Sequence, residues 1–336
     1  MMKPEILFLK QEDTIAAGAE DMKMTLELGD KAIKMWAEGT LLNPTKVSMS
    51  LDDHGSFFVA MPTYVGGEDD IAGFKWAAEG RQNLQNGLPL GIDVTVLSDP
   101  YNVLPKAFLD ASLITAMRTA ASAALGAKYL CSPKSKKATL VGCGIVGRYA
   151  VKAVTLAVPF LEQIEIYDLN IPKAKALADE FKDNDIPVTA VEDLAESVKT
   201  SDIIITMTTA QKAFMQKDWM KSNATIVQMG PCDFGTDTVE GADKLFVDNW
   251  YQVSKSKLSP VHELYEAGKL KQEDMTELRF VAADMAKGRD NDDQQVMYVS
   301  LGLGAMDIMI AHQVYKNAKA MGLGTIVNLW DAPKYV

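Results

Sequence analysis

The sequence predicts an α/β protein of two domains, and three observations carry that prediction. From Ala138 onward, short apolar runs alternate with helical patterns, as in a parallel sheet covered on both faces. The run Thr139-Leu140-Val141 leads into Gly142, Gly144 and Gly147 at the spacing G-x-G-x-x-G, and a helical pattern follows. Residues up to about 115 lack this alternation and read as an α+β domain on an antiparallel or mixed sheet. A chain of 336 residues has room for both, at about 150 residues per domain.

In chain order, Glu20 to Glu38 reads as a helix, because Met24, Leu28, Ala32, Met35 and Trp36 form one apolar stripe. Lys46 to Met49 and Gly55 to Pro62 read as short strands, parted by the turn-forming Asp52-Asp53-His54-Gly55. Ile71 to Ala77 and Ile92 to Leu97 supply two more strands around the loop Gly80 to Gly91. Asp110 to Leu130 is a long Ala-rich helix ended by Cys131-Ser132-Pro133, with Gly126 its one weak point. It connects the two domains. Leu161 to Tyr167 forms a strand after the glycine loop. Asn170 then caps a helix with Pro172 in its first turn, running to about Phe181. Val188 to Val191, Asp202 to Thr206, Ala224 to Met229 and Lys244 to Asp248 are further strands. Pro260 to Gly268 and Asp293 to Ala320 read as helices, the latter on the repeat Val296, Val299, Ser300, Leu303, Met306, Ile310 and Val314.

The glycine spacing has a chemical meaning. The first glycine allows a tight strand-to-helix turn, the second lets backbone approach a pyrophosphate, and the third lets the helix pack against its strand. The new helix offers unpaired N–H groups to the phosphates. Asp168 follows Gly142 by 26 residues (168 − 142), near the roughly 20 expected of the acid that binds a ribose diol. These features predict a Rossmann dinucleotide-binding domain; a doubly wound unit that binds no nucleotide is the alternative. Ligands of such sheets lie beyond the carboxyl ends of the strands. That gathers Asp168, Thr206-Met207-Thr208-Thr209 and Gly230 to Gly235 around one crevice.

Composition narrows the partners. A net charge of −11 and a pI near 4.9 argue against nucleic acid or an anionic membrane as partner. Cys131, Cys143 and Cys232 form neither a metal-ligand spacing nor a disulfide framework, and His54, His262 and His312 are dispersed, so no metal is expected. Ile6 to Leu9 is too short and too flanked by charge to be a signal peptide, and no apolar run approaches the 18 or so residues of a membrane span. A cytoplasmic protein is expected.

Two cations could carry chemistry. In Gly73-Phe74-Lys75-Trp76-Ala77, strand alternation sends Lys75 to the face of the small residues, leaving room beside it for a ligand. On spacing alone, a surface lysine is the preferred reading. Arg118 sits mid-helix among Ala116, Ala120, Ala121 and Ala123, where its fork could bind a carboxylate. An exposed, helix-stabilising arginine fits equally.

Lys75, Gly87-Leu88-Pro89, Ile114-Thr115-x-x-Arg118-Thr119-Ala120-Ala121 and the glycine loop, taken together, resemble the ornithine cyclodeaminase/μ-crystallin family. Gly288-Arg289, Ser300-Leu301-Gly302 and Asp307 resemble its return segment. The resemblance favours functional roles for Lys75 and Arg118. It implies a homodimer whose subunits join a substrate-binding and dimerisation domain (residues 1–117, completed by about 294–336) to an NAD-binding domain (118–293). It further implies an enzyme using NAD for hydride transfer at the α-carbon of an amino acid or its imine. A non-catalytic NAD(P)-dependent binding protein of the μ-crystallin type is the alternative.

By the same likeness, Lys46, Lys75, Arg118 and Leu301 would bind substrate. Arg118, Thr119, Gly142, Gly144, Ile145, Val146, Gly147, Asp168, Thr206, Thr208, Met229, Gly230 and Ser300 would line the cofactor. Lys75, Cys232 and Asp233 are the catalytic candidates. The chain also departs from the pattern. Lys46 stands where the family has an arginine, Leu90 where it has a polar residue, and Cys232 where cyclodeaminases carry a catalytic Asp. Asp233, one residue on, could substitute only if the loop shifts, so ornithine cyclisation is expected to be weak. Asp168, with no cation on Leu169 or Asn170, predicts NAD over NADP.

Overall fold

The computed structural model describes residues 4–334, and the chain divides into two compact units. One holds the chain up to Arg118 and from Leu303 on; the other is Thr119–Gly302. The division falls within the helix Ser112–Leu130.

The first unit is built on β1 (Glu5–Leu9), β2 (Leu41–Leu42), β3 (Val47–Leu51), β4 (Ser56–Val65), β5 (Ile71–Gly80), β6 (Val94–Ser98) and β7 (Pro105–Asp110). A last strand, Thr325–Asn328, completes its sheet by pairing with β1. From that edge the order is β1-β7-β6-β5-β4-β2, with β3 also on β4. Among the described residues of this sheet, only β1 and β7 pair in parallel. The mixed sheet expected of this half is present, and it contains β1, β7 and the closing strand, which pattern alone did not pick out.

β5 is a central strand: Lys75 pairs with Met61 on one side and Thr95 on the other. The helix Gly304–Met321 packs across β4, β5 and β6. Two glycines let it lie close. A Cβ on Gly304 would come 2.8 Å from Thr63 Oγ1, and one on Gly73 would come 3.0 Å from Ile308 Cδ1. This approach covers the β5 face that carries Lys75 and brings the helix's single carboxylate in its first turns, Asp307, down onto it.

The second unit holds β8 (Lys137–Val141), β9 (Gln163–Tyr167), β10 (Val188–Ala190), β11 (Ile203–Thr206), β12 (Thr225–Gln228), β13 (Lys244–Val247), β14 (Met275–Glu277) and β15 (Val296–Val299). They form one parallel sheet in the order β10-β9-β8-β11-β12-β15-β13-β14. This is a Rossmann-type arrangement, and its strand order reverses between β8 and β11, the switch point where such sheets bind ligands. The Asn170 cap is present: its side chain accepts from Lys173 N, with proline in the first turn.

One expected element is corrected. Asp293 to Ala320 is not one helix: Val296–Val299 is the strand β15, buried throughout, and the helix begins at Gly304. An apolar run covered on both faces satisfies a helical and a strand template alike. Gly126, the weak point of its helix, is where Tyr298 of β15 packs; a Cβ there would fall 2.5 Å from the ring.

Candidate active site

In the first unit, burial collects charge around Lys75. The side chain is 1% exposed, which corrects the surface-lysine reading. Its Nζ lies 3.0 Å from Asp307 Oδ1, donates to Thr115 Oγ1 at 3.2 Å, and sits 3.9 Å from Asp93 Oδ2. Arg118 is 7% exposed, not an exposed helix arginine, and its Nε donates to the same Asp307 oxygen at 3.1 Å. Burial lowers the Lys75 ammonium from the ordinary lysine range; the Arg118 charge adds to this, while Asp307 and Asp93 oppose it. Asp307 Oδ2 is buried with no hydrogen-bond partner among the described residues. Two cations thus share one oxygen of a fully buried carboxylate.

Helix spacing explains the convergence. Thr115 and Arg118 are one turn apart in Ser112–Leu130, so both project from one face. Asp93 is fixed from two sides: its Oδ1 accepts the Ala78 N–H at 3.1 Å and its own N–H donates to Ser112 Oγ at 3.1 Å. Pattern reading assigned no role to Asp93, Thr115 or Asp307. The available signal was a lone Asp in an apolar stretch, in Gly91-Ile92-Asp93-Val94 and in Ala305-Met306-Asp307-Ile308, since an unpaired buried carboxylate is rare. Lys46 lies half-buried in the segment entering β3.

In the second unit, the glycine loop has the form a pyrophosphate needs. Gly142 has φ +106°, and a Cβ on it would meet Met207 O at 2.7 Å. A Cβ on Gly147 would lie within the carbonyl of Gly142. Gly144, by contrast, has no protein atom within 4 Å of a Cβ position, which leaves space for a ligand's backbone approach. It precedes the helix Ile145–Ala157 without a side-chain cap, so the first N–H groups, at Ile145, Val146 and Gly147, are not taken by one. Ile145 is 59% exposed and Val146 half-buried. A dinucleotide fits this loop.

Asp168 closes the loop from the end of β9. Its Oδ2 accepts the Cys143 N–H at 2.8 Å, and Oδ1 accepts that of Asn170 at 2.9 Å. Lys173 Nζ is 4.0 Å away, a neighbouring cation one turn along that the immediate neighbours did not reveal. Burial, then the Asp168 charge, push the Cys143 thiol up to about 12.

Thr206 ends β11 and Thr208 follows it, and Met229 and Gly230 follow β12; Met229 N donates to Thr206 O at 2.9 Å. Asp233 is fully buried, with Oδ1 accepting from Thr208 Oγ1 at 2.5 Å and Oδ2 turned toward Gly230, with no hydrogen-bond partner among the described residues. Burial raises its carboxyl above the usual range, against the lowering effect of the two threonine hydroxyls. Cys232 donates through Sγ to Ala210 O at 3.2 Å, and burial, then Asp233, raise its thiol. Both residues fasten loop to loop. Ser300 and Leu301 are held by another carboxylate: Asp248 Oδ2 accepts Ser300 Oγ and Leu301 N, each at 2.8 Å, and Gly302 N at 2.6 Å. Thr119 is half-buried in the connecting helix.

Known proteins share this architecture. The chain is 27% identical over 337 residues to the N-((2S)-2-amino-2-carboxyethyl)-L-glutamate dehydrogenase of Staphylococcus aureus, covering 98% of this chain and 100% of that one. It is 25% identical to the alanine dehydrogenase of Archaeoglobus fulgidus, over 97% and 99% of the two chains. Among solved structures, the Δ(1)-pyrroline-2-carboxylate reductase of Thermococcus litoralis, in complex with NADH and L-proline, superposes with a TM-score of 0.86 at 27% identity. That match covers 96% of this chain and all of that one. The model of the ornithine cyclodeaminase/mu-crystallin family matches residues 10–322, and the chain belongs to that family.

Proposed function

We propose that the protein is an NAD-dependent oxidoreductase acting by hydride transfer at the α-carbon of an amino acid or its imine. The observation that carries this reading is the shared Asp307 oxygen, which holds Lys75 and Arg118 side by side in a buried site. Arg118 meets Asp307 through Nε, so its two-pronged Nη end is the part to receive a substrate carboxylate. Lys75, its ammonium weakened by burial, is the group to exchange a proton with the substrate nitrogen. NAD, when bound, supplies the hydride acceptor or donor. The glycine loop would hold its pyrophosphate and Asp168 its adenosine ribose. Relatives named for alanine and for pyrroline-2-carboxylate act on an amino acid and a cyclic imine, which is the chemistry a carboxylate fork beside a proton carrier suits.

Cyclodeamination of ornithine is not the preferred activity in this reading. Asp233 is fully buried and accepts from Thr208, and the Cys232 thiol, raised by burial, is a poor proton carrier at neutral pH. The same loop favours a second reading, a nucleotide-dependent binding protein of the μ-crystallin type.

The protein is further proposed to be a homodimer through the sheet of its first unit. Phe8 stacks on Phe108 with ring centroids 5.7 Å apart although both are partly exposed, and Phe74, Val47 and Met49 are exposed on the same sheet. An apolar sheet face of this extent is the kind of surface a stable dimer covers. An archaeal alanine dehydrogenase of the same fold was solved as a dimer. Among the described residues, no helix is long and apolar enough to cross a membrane; a cytoplasmic location is part of the proposal.

The test is a panel. Formation of NADH is followed with the common L-amino acids, and NADH oxidation with cyclic imines, alongside cyclisation of ornithine and lysine. The proposal expects at least one amino acid or imine to turn over with NAD and ornithine to be slow. Ligand binding without any turnover would favour the binding-protein reading instead.

A further inference from the structure

A proton accepted by Lys75 has to leave it again, and burial limits the ways out. The side chain is 1% exposed, and two of the charged groups around it, Asp307 and Arg118, are 0% and 7% exposed. The third, Asp93, is itself only 5% exposed, so a path through it has to run on to a group at the surface. Lys75 Nζ donates to Thr115 Oγ1 at 3.2 Å, and that hydroxyl donates to Asp93 Oδ2. Asp93 is held in place by the Ala78 N–H and by Ser112, so the acceptor at the end of this chain is fixed. Glu79, four residues along β5 and so on the same face of the strand as Lys75, is exposed at the surface. Although the residue reaches the surface, its carboxyl is partly desolvated, which raises it, and the Asp93 charge raises it further, while Lys75 and Arg81 oppose both, so the two carboxylates are electrostatically linked.

We propose that Thr115 and Asp93 form the proton relay of Lys75, carrying protons between its buried nitrogen and the protein surface. The proposal rests on the reading of Lys75 as the group that exchanges a proton with substrate. An α-ammonium must lose a proton before its carbon can give up a hydride. The N–H bond of the substrate breaks, its electron pair stays on that nitrogen, and the proton forms a new N–H bond on the Lys75 amine. A proton on the far side of Nζ then passes to Thr115 Oγ1 as the hydroxyl proton passes to Asp93 Oδ2. Thr115 ends neutral, Lys75 is again an amine, and Asp93 is a carboxylic acid that releases its proton outward. Reduction of an imine runs the same path in reverse. The groups that set the Lys75 charge are Glu79 on its own strand, Asp93 ahead of β6, Arg118 on the connecting helix and Asp307 on the return helix.

The path can be tested without turnover. In the full chain labelled with ¹⁵N-lysine, exchange of the Lys75 Nζ protons with solvent water is measured by NMR in wild type, Thr115→Val, Asp93→Asn and Thr115→Ser. The relay predicts slowing by about tenfold or more in Thr115→Val and Asp93→Asn, since each removes a proton acceptor on the path. Thr115→Ser, which keeps the hydroxyl, should exchange like wild type. Unchanged exchange in Thr115→Val overturns the relay, and so does equal slowing in Thr115→Ser. If Thr115→Val does not fold, Asp93→Asn carries the same test. A panel with no turnover would defeat the functional reading while leaving this exchange result to decide the relay.

Discussion

Arg118 and Asp307 stand 189 residues apart in the chain and meet at 3.1 Å, Nε to Oδ1, on the oxygen that also holds Lys75. One carboxylate therefore orients both cations, and it does so with 0% exposure. Removing one member of a buried ionic group leaves the others uncompensated and costs about 3–5 kcal/mol. Asp307→Asn should accordingly lose about 3 kcal/mol in urea unfolding, with the urea dependence of the unfolding free energy unchanged. A loss below about 1 kcal/mol would show that Asp307 does not balance the pair.

Gly144 and Gly147 should separate cofactor binding from folding. A Cβ on Gly144 meets no protein atom within 4 Å, so Gly144→Ala should fold with a stability change under about 1 kcal/mol. It should nevertheless weaken NAD binding by about tenfold or more, because the added methyl stands where the pyrophosphate passes. Gly147→Ala would drive its Cβ into the Gly142 carbonyl and should disturb fold and binding together. Thermal unfolding beside NAD titration checks both. Normal NAD affinity in Gly144→Ala would contradict the loop's assigned role.

NAD should bind more tightly than NADP. The Asp168 carboxylate, spent on the Cys143 and Asn170 N–H groups at the end of β9, repels a 2′-phosphate. Lys173, half-exposed at 4.0 Å, weakens that repulsion without cancelling it. A preference of about tenfold, or 1.4 kcal/mol, is expected by fluorescence titration of both cofactors. Equal or tighter NADP binding would contradict it.

What could be read from the sequence follows from where each signal resides. The Rossmann half was legible because its cues are local: the glycine spacing, the Asn170-Pro172 start and the short apolar runs each lie within a few residues. β15 was misread because Val296-Met297-Tyr298-Val299 is buried on both faces and has no period to betray it. β7 was missed where Pro105 and Lys106 mask a strand that alternates correctly only from Ala107. The burial of Lys75 could not be read from spacing at all, because it is imposed by Asp307 on a helix that returns from the far end of the chain. The family likeness singled out the lysine; only the packing shows which side chains surround it.

Asp233 should leave a signature in the pH dependence of stability. Its folded carboxyl is raised above the ordinary value of 3.8, chiefly by burial. The folded state then holds this proton more tightly than the unfolded chain, so the contribution is fully present below about pH 3.8 and is lost as pH rises through the folded value. Asp233→Asn removes the titration. Its stability relative to wild type should therefore improve as pH is raised from about 3.8 toward neutrality. A difference that stays flat across that range would show that Asp233 is not protonated more readily in the fold.

The most direct test of the account is Lys75→Ala, examined for turnover and for NAD binding in the same preparation, using the amino acid or imine that the panel identifies. Lys75, proposed to act on the substrate, lies in the first unit, whereas the glycine loop and Asp168 lie in the second. Loss of the proton carrier should lower kcat by about 10²–10⁴-fold, while the Kd for NAD stays near that of wild type. Normal turnover by Lys75→Ala would contradict the account.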